Sequence, residues 1–177
     1  MRPLGKFLAP AALVLMLGTS PAWAGNPATI SVTVTIQNLS VSASGPIAFG
    51  TVLAASSTVS GGASTVTNDG NVTETFSLQL TNPATWSAVS AAPAAEQYAL
   101  LAEFNTAAPA VGGFSFANHA LTTSSVASSA TQFAGNQTGL SVAALGTRSL
   151  WFRFDAPTTT VVTTQQNITV TLTAAAG

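Results

Sequence analysis

Cysteine is absent from the 177 residues, and basic side chains are scarce. Without cysteine the chain can form no disulfide, no thiolate metal site and no cysteine nucleophile. Charged residues make up 5% of the chain, against roughly 25% in an ordinary soluble domain. From residue 25 onward the only basic side chains are Arg148 and Arg153. Two arginines cannot build a basic patch, which argues against binding to nucleic acid and against polybasic docking to a membrane.

The N-terminus has the pattern of a secretory signal peptide. Arg2 and Lys6 precede an apolar run over residues 8–17, and Ala22 and Ala24 supply a small-x-small cleavage site. We expect cleavage after Ala24, which divides the chain into a signal peptide, 1–24, and one domain, 25–177. The apolar run is about half as long as a membrane span of ~20 residues. The protein is therefore expected to be exported to the extracellular space or cell surface, or to the periplasm, with no integral membrane segment after cleavage.

Alternation of apolar and polar residues dominates the rest of the chain. Ile30, Val32, Val34 and Ile36 alternate with serine and threonine, the same period recurs over 72–80, 150–155 and 168–172, and residues 97–104 are expected to form another strand. A period of two indicates half-buried strands, and the evidence for helices is thin. The sequence predicts an all-β fold, an antiparallel β-sandwich of immunoglobulin-like type with seven to nine strands.

The connections carry turn signals of different strength. Residues 47–50 are expected to form a short strand after Gly45-Pro46, and the Asp-Gly pair within 68–71 predicts a hairpin. Residues 105–147 have the weakest pattern, and we expect long loops there with one or two short strands. Asp69, with Asn68 and Asn71, could also lend oxygens to a calcium ion, although a turn accounts for the same residues.

Groups that could perform catalysis are few. His119 is the only imidazole, and no serine lies in a Gly-x-Ser-x-Gly elbow. A zinc site needs three or four ligands, which one histidine without cysteine does not supply. The five acidic residues are scattered along the chain. We expect no enzymatic activity, no catalytic or metal-binding residues and no cofactor.

Trp151 and Arg153 are the best candidates for contact with a ligand or partner. If Leu150, Phe152 and Phe154 face the core, the alternation places Trp151 and Arg153 on the opposite face. An exposed tryptophan beside an arginine could stack on a sugar ring or enter a partner's surface. The alternative is that a long loop, such as 105–147, covers this face and makes both residues part of the packing.

Four short segments carry a resemblance to exported bacterial surface proteins: 32–36, 47–50, the turn at 67–71 and 168–172. Their order resembles archaic chaperone–usher pilins of the spore-coat-U type, and also WxL-like and other secreted immunoglobulin-like domains. The resemblance to pilins implies a donor strand at residues 28–37 and fibre assembly by addition of a β-strand. No Trp-x-Leu pair is present, so binding to peptidoglycan is not implied.

Two functions remain open from the sequence. The first is a secreted, non-enzymatic structural or surface protein that assembles through edge strands, with residues 30–36 and 168–172 as the assembly segments. Its partner would be a second copy or another surface protein. Uncharged, lysine-free strands favour this hypothesis, because lysine is a common guard against pairing of open edges. The second is an extracellular ligand- or carbohydrate-binding module that uses Trp151 and Arg153.

Overall fold

A computed structural model describes residues 28–177. The predicted signal peptide and its cleavage site lie outside the described residues. Residues Thr35–Gly177 form one compact unit, called the body below. Within residues 28–177, no helix is long and apolar enough to cross a membrane.

The body is all-β, as the sequence predicts, with nine strands in two sheets. Only a short 3-10 turn at Val111–Gly113 and one helical turn, α1, at Phe116–His119 interrupt the β-structure. The strands are β1 (Val41–Ala43), β2 (Ser57–Val59), β3 (Ser64–Asn68), β4 (Glu74–Thr81), β5 (Ser87–Ala88), β6 (Gln97–Phe104), β7 (Val126–Ala127), β8 (Thr147–Asp155) and β9 (Thr169–Ala176).

The larger sheet has the order β1-β3-β8-β6-β5, with β2 also paired to β8, and the smaller sheet has the order β7-β4-β9. All pairs are antiparallel except β5 with β6, which are parallel. The prediction of a hairpin at 68–71 is wrong, because β3 and β4 belong to different sheets. The Asp-Gly turn therefore carries the chain from one sheet to the other.

The hydrophobic core lies between the sheets and follows the predicted alternation. In β4, Phe76, Leu78 and Leu80 are fully buried while the intervening residues are half-buried. The facing strand β8 contributes Leu150 and Phe152 from the larger sheet. Each such side chain stabilises the fold by about 1.5–3 kcal/mol on burial.

The strand β6 is buried on both faces. One face joins the core, and the other carries Ala99 and Leu101, which pack against Phe114 from the following loop. Residues 105–147 form mostly irregular structure, as expected, with β7 as their one short strand. Part of this segment, called the covering loop below, packs through Phe114 and Phe116 on the outer face of the larger sheet. That face is therefore buried by the loop, which is the alternative considered above for Trp151.

Two predicted strands are not present. Residues 47–50 and residues 30–36 both lack regular secondary structure. The alternation in Ile30, Val32, Val34 and Ile36 suits one face of a strand, but a strand also needs a neighbour for its backbone hydrogen bonds. None of the sheets described includes residues 30–36.

Candidate interaction site

An open groove of about 1100 Å³ crosses the body. It is lined by residues 43–52, by most of residues 162–172 and by aromatic and aliphatic core residues. Trp86, Leu100, Phe152 and Phe154 are among these core residues. The lining includes no charged side chain. The lining combines apolar core residues with uncharged serine, threonine, glutamine and asparagine side chains, so it suits an uncharged segment that has one apolar face.

The strand β9 borders this groove with an unpaired edge. It is the last strand of the order β7-β4-β9, so β4 is hydrogen-bonded along one side of it, and no strand among residues 28–177 is hydrogen-bonded along the other, where β1 lies close by. Ile168, Val170, Leu172 and Ala174 pack against the core but stay only half-buried. The strand contains no charged residue and no proline. It therefore lacks the features by which edge strands usually avoid pairing with another chain.

Residues 28–37, called the N-terminal segment below, expose an apolar stripe. Ile30, Val32, Val34 and Ile36 are 88%, 86%, 84% and 75% exposed. The residues between them are polar and uncharged. Leaving four such side chains in water forgoes the stabilisation that burial would give. An alternating, uncharged segment of this kind has the composition of a strand without a sheet.

The stripe on the N-terminal segment and the stripe on β9 have the same length. Ile30 to Ile36 and Ile168 to Ala174 each comprise four side chains at every second residue. At about 3.3 Å per residue, each stripe spans ~20 Å. A strand made from the N-terminal segment would thus match β9 along its whole apolar stripe.

Residues 36–40 are hydrogen-bonded to the turn that joins β3 to β4. The side chain of Asn71 donates to the Ile36 carbonyl (3.0 Å) and accepts from the Asn38 backbone N–H (2.8 Å). The Asn71 backbone N–H donates to the Asn38 carbonyl (3.1 Å). Asp69 donates in the same way to the Ser40 carbonyl (2.7 Å). These bonds continue the β1–β3 ladder beyond the end of β3.

A buried carboxylate completes this arrangement. Glu74 is fully buried, and its Oε1 accepts the backbone N–H of Ser40 at 2.7 Å. A side chain at Gly70 would collide with Oε1 and with the Asn38 carbonyl, so only glycine leaves room for both. The five hydrogen bonds from Asp69, Asn71 and Glu74 to residues 36–40 are called the anchor below. Nothing in the sequence pattern pointed to Glu74, because the signal at 68–71 indicated only a turn.

Trp151 and Arg153 lie on the face opposite the core, as predicted, but the covering loop packs on them. The indole Nε1 of Trp151 donates to the Asn105 carbonyl at 2.9 Å. Arg153 forms a bidentate pair with Asp155, with N–O distances of 2.7 and 2.6 Å, and also stacks over Phe116. The polar atoms of these side chains thus have intramolecular partners. Ligand contact at Trp151 and Arg153 stays a prediction.

The single histidine lies against a buried acid without forming an ion pair. The Nδ1 of His119 accepts the Ser115 backbone N–H at 3.0 Å, so this nitrogen has no proton to offer to Glu103 Oε2, 3.9 Å away. Burial lowers the pKa of His119, an effect opposed by a backbone hydrogen bond to Ala134. Burial also raises the pKa of Glu103. His119 on α1 and Glu103 on β6 thus lie side by side where the loop packs on the larger sheet.

Residues 28–177 contain no group of three or more histidine, aspartate or glutamate residues placed to hold a metal ion. Asn68, considered above for calcium, donates instead to the carbonyls of Val72 and Val142, at 2.8 and 2.9 Å. No protein-family model, curated protein or solved structure matches this chain.

Proposed function

We propose that the chain is a non-enzymatic structural subunit that assembles by exchange of a strand. The N-terminal segment of one copy enters the groove of a second copy and pairs with the free edge of its β9. The added strand completes an immunoglobulin-like sandwich in the second copy. Assembly takes place after export, at the cell surface or in the extracellular space, as the predicted signal peptide and the resemblance to exported pilins suggest.

One observation carries this proposal: a single chain contains both halves of the interaction. The exposed stripe at Ile30, Val32, Val34 and Ile36 needs an apolar site, and the groove beside β9 is lined by three of the four residues of the β9 stripe. Strand addition supplies backbone hydrogen bonds for affinity and side-chain pockets for specificity. When each copy donates to the next, a head-to-tail contact of this type generates open chains of subunits wherever the rotation between copies does not close a dimer or a ring.

The remaining chemistry of the chain supports a structural role. The lone imidazole, on His119, is buried and hydrogen-bonded to backbone. Arg153 is neutralised by Asp155. These groups hold the covering loop in place, and the groove is lined only by uncharged side chains. We propose that the working parts of the protein are the N-terminal segment and β9.

The proposal is tested by placing a charge on each face of the N-terminal segment in turn. Val34→Asp puts a carboxylate on the apolar stripe, whereas Thr33→Asp puts the same group on the opposite face. The assembly state of the parent and both variants is measured by light scattering after size exclusion and by negative-stain images. We expect chains of subunits for the parent and Thr33→Asp, and monomers for Val34→Asp. A monomeric parent, or an assembling Val34→Asp variant, would contradict the proposal.

A peptide binding experiment checks the same interaction without polymerisation. A variant lacking residues 25–36 keeps the groove but has no segment to donate. A synthetic peptide of residues 28–37 should bind it and raise its melting temperature in proportion to the logarithm of peptide concentration. The same peptide with Val32 and Val34 replaced by aspartate should have no effect. Equal effects from both peptides would rule out recognition of the apolar stripe.

A further inference from the structure

The N-terminal segment could enter either the groove of its own chain or the groove of a second copy. For a short flexible connection, the effective concentration within a chain is of the order of 1 mM. At a protein concentration of about 10 µM, insertion into the chain's own groove would then be favoured roughly 100-fold. Assembly between chains therefore requires a feature that disfavours self-insertion.

The anchor has the geometry for this task. It fixes residues 36–40 as an extended continuation of β1, held through the backbone of Ile36, Asn38 and Ser40. The groove begins at the other end of β1, where residues 43–52 line it. To enter its own groove, a chain would have to reverse direction near residues 35–38. The anchor holds the backbone in extended form over most of that stretch, which leaves little chain to form a turn.

We infer that the anchor is a positioning device that directs the N-terminal segment to a second copy of the chain by preventing self-insertion. This inference rests on the proposed function and adds the identity of the partner groove. Asn71 is the central residue, since three of the five hydrogen bonds involve its side chain or backbone. Glu74 is buried beneath it and fixes the position of Ser40.

The anchor also sets the distance between assembled subunits. Ile36 is held to its own body through Asn71, while Val34 lies only two residues before it. A donated strand that reaches Val34 therefore leaves almost no flexible linker between neighbours. We expect stiff chains of subunits with a constant repeat in negative-stain images.

The inference is tested by releasing the segment while keeping its sequence. An eight-residue Gly/Ser linker inserted between Gln37 and Asn38 separates the stripe from the anchor and provides a turn. We expect the roughly 100-fold advantage of the intramolecular path to convert the assembled protein into monomers at micromolar concentration. The same linker inserted between Gly61 and Gly62, an exposed site away from the anchor, should leave assembly intact.

A point variant gives a milder release. Asn71→Ala removes both side-chain hydrogen bonds of the anchor at an exposed position, so we expect a measurable rise in the monomer fraction without unfolding. Asn136→Ala is the matched control, because Asn136 also accepts from one backbone N–H and donates once, to residue 106. The control should assemble like the parent.

A third measurement shows where the segment lies in the monomers. In the linker variant, the stripe is expected to fill the groove of its own chain. Adding Val34→Asp should weaken this insertion and so lower the melting temperature of the monomer. If the linker variant and Asn71→Ala assemble like the parent, the inference is overturned while the proposed function stands. If the parent is monomeric, the proposed function fails together with the inference that rests on it. A lower melting temperature for Val34→Asp would then show that self-insertion occurs despite the anchor.

Discussion

Among single residues, the buried titratable side chains include Glu74, Glu103 and His119. These three lie in the core or under the loop that packs on the larger sheet. Glu74 Oε1 accepts the backbone N–H of Ser40, whereas Glu74 Oε2 and Glu103 Oε2 have no hydrogen-bond partner among the described residues. The Nδ1 of His119 accepts the backbone N–H of Ser115, and the ring also has a backbone hydrogen bond to Ala134. The cost of each buried group thus depends on partners distant in sequence. Glu103 is the least satisfied of the three.

The buried carboxyl of Glu103 should make stability depend on pH. Its pKa is raised above the ordinary value of 4.5, so the folded state binds the proton more tightly than the unfolded state. The stability it contributes is fully present below pH 4.5 and is lost as the pH rises through its folded pKa. Glu103→Gln removes this loss. The melting temperature of the variant relative to the parent should therefore increase between pH 4.5 and about pH 8.

Thermal melts at several pH values check this expectation. His119 is present in both proteins, so its opposite contribution, a loss of stability as the pH falls below 6.5, largely cancels in the comparison. Asp69→Asn at an exposed position serves as the control for removal of a carboxyl. A difference between Glu103→Gln and the parent that is constant with pH would contradict the assignment.

At the scale of elements, the alternation in β4 and β9 indicated two similar strands. The structure gives them different surroundings, because β4 lies between β7 and β9 while β9 has one free edge. Its inward residues stay half-buried for that reason, although Leu172 is directly paired with the fully buried Leu78. The alternation thus predicts which face of a strand is apolar, but not whether another strand pairs with its edge.

The turn between β3 and β4 should be sensitive to a single methyl group. Gly70→Ala places a Cβ where the Glu74 carboxylate and the Asn38 carbonyl already lie. We expect a loss of about 1–3 kcal/mol in the free energy of unfolding, the usual cost of overpacking. Protease cleavage within residues 36–40 should also become faster, because the anchor is displaced.

Gly62→Ala is the matched control, since a Cβ there meets nothing within 4 Å. Urea unfolding gives the free energies, and limited proteolysis followed by mass spectrometry locates the cleavage. Equal stability and equal cleavage in the two variants would show that the close approach at Gly70 is not what holds the anchor.

At the scale of the whole molecule, the scarcity of charge defines the kind of assembly that we propose. Neither the N-terminal segment nor the groove lining contains a charged side chain. The described charged groups that are paired, such as Arg153 with Asp155, lie elsewhere. Association would then depend on apolar burial and backbone hydrogen bonds rather than on ion pairs.

Assembly should accordingly respond little to ionic strength. Raising sodium chloride from about 0.05 M to about 0.5 M screens charge interactions strongly, yet should leave the size distribution nearly unchanged. Ammonium sulfate should increase the assembled fraction, because excluded salts strengthen apolar burial. Light scattering across both series measures this. Dissociation by sodium chloride would indicate that ion pairs hold the subunits together.

The all-β class, the apolar face of most strands and the lack of charge could all be predicted from the amino-acid sequence, because they depend on local alternation and composition. Residues 97–104 form a strand with the predicted bounds, and β8 and β9 extend by a few residues beyond theirs. Ile30 to Ile36 was also singled out from sequence as an assembly segment, and its exposure is what that hypothesis requires.

How these elements pack against one another could be seen only in the folded chain. The free edge of β9, the open groove and the loop over Trp151 depend on contacts between residues far apart in the chain. The anchor depends on Asn71 and Glu74 reaching back more than 30 residues to the backbone of 36–40. Period-two alternation describes one residue's neighbours along a strand, so it contains no information about which strand, loop or second chain lies beside it.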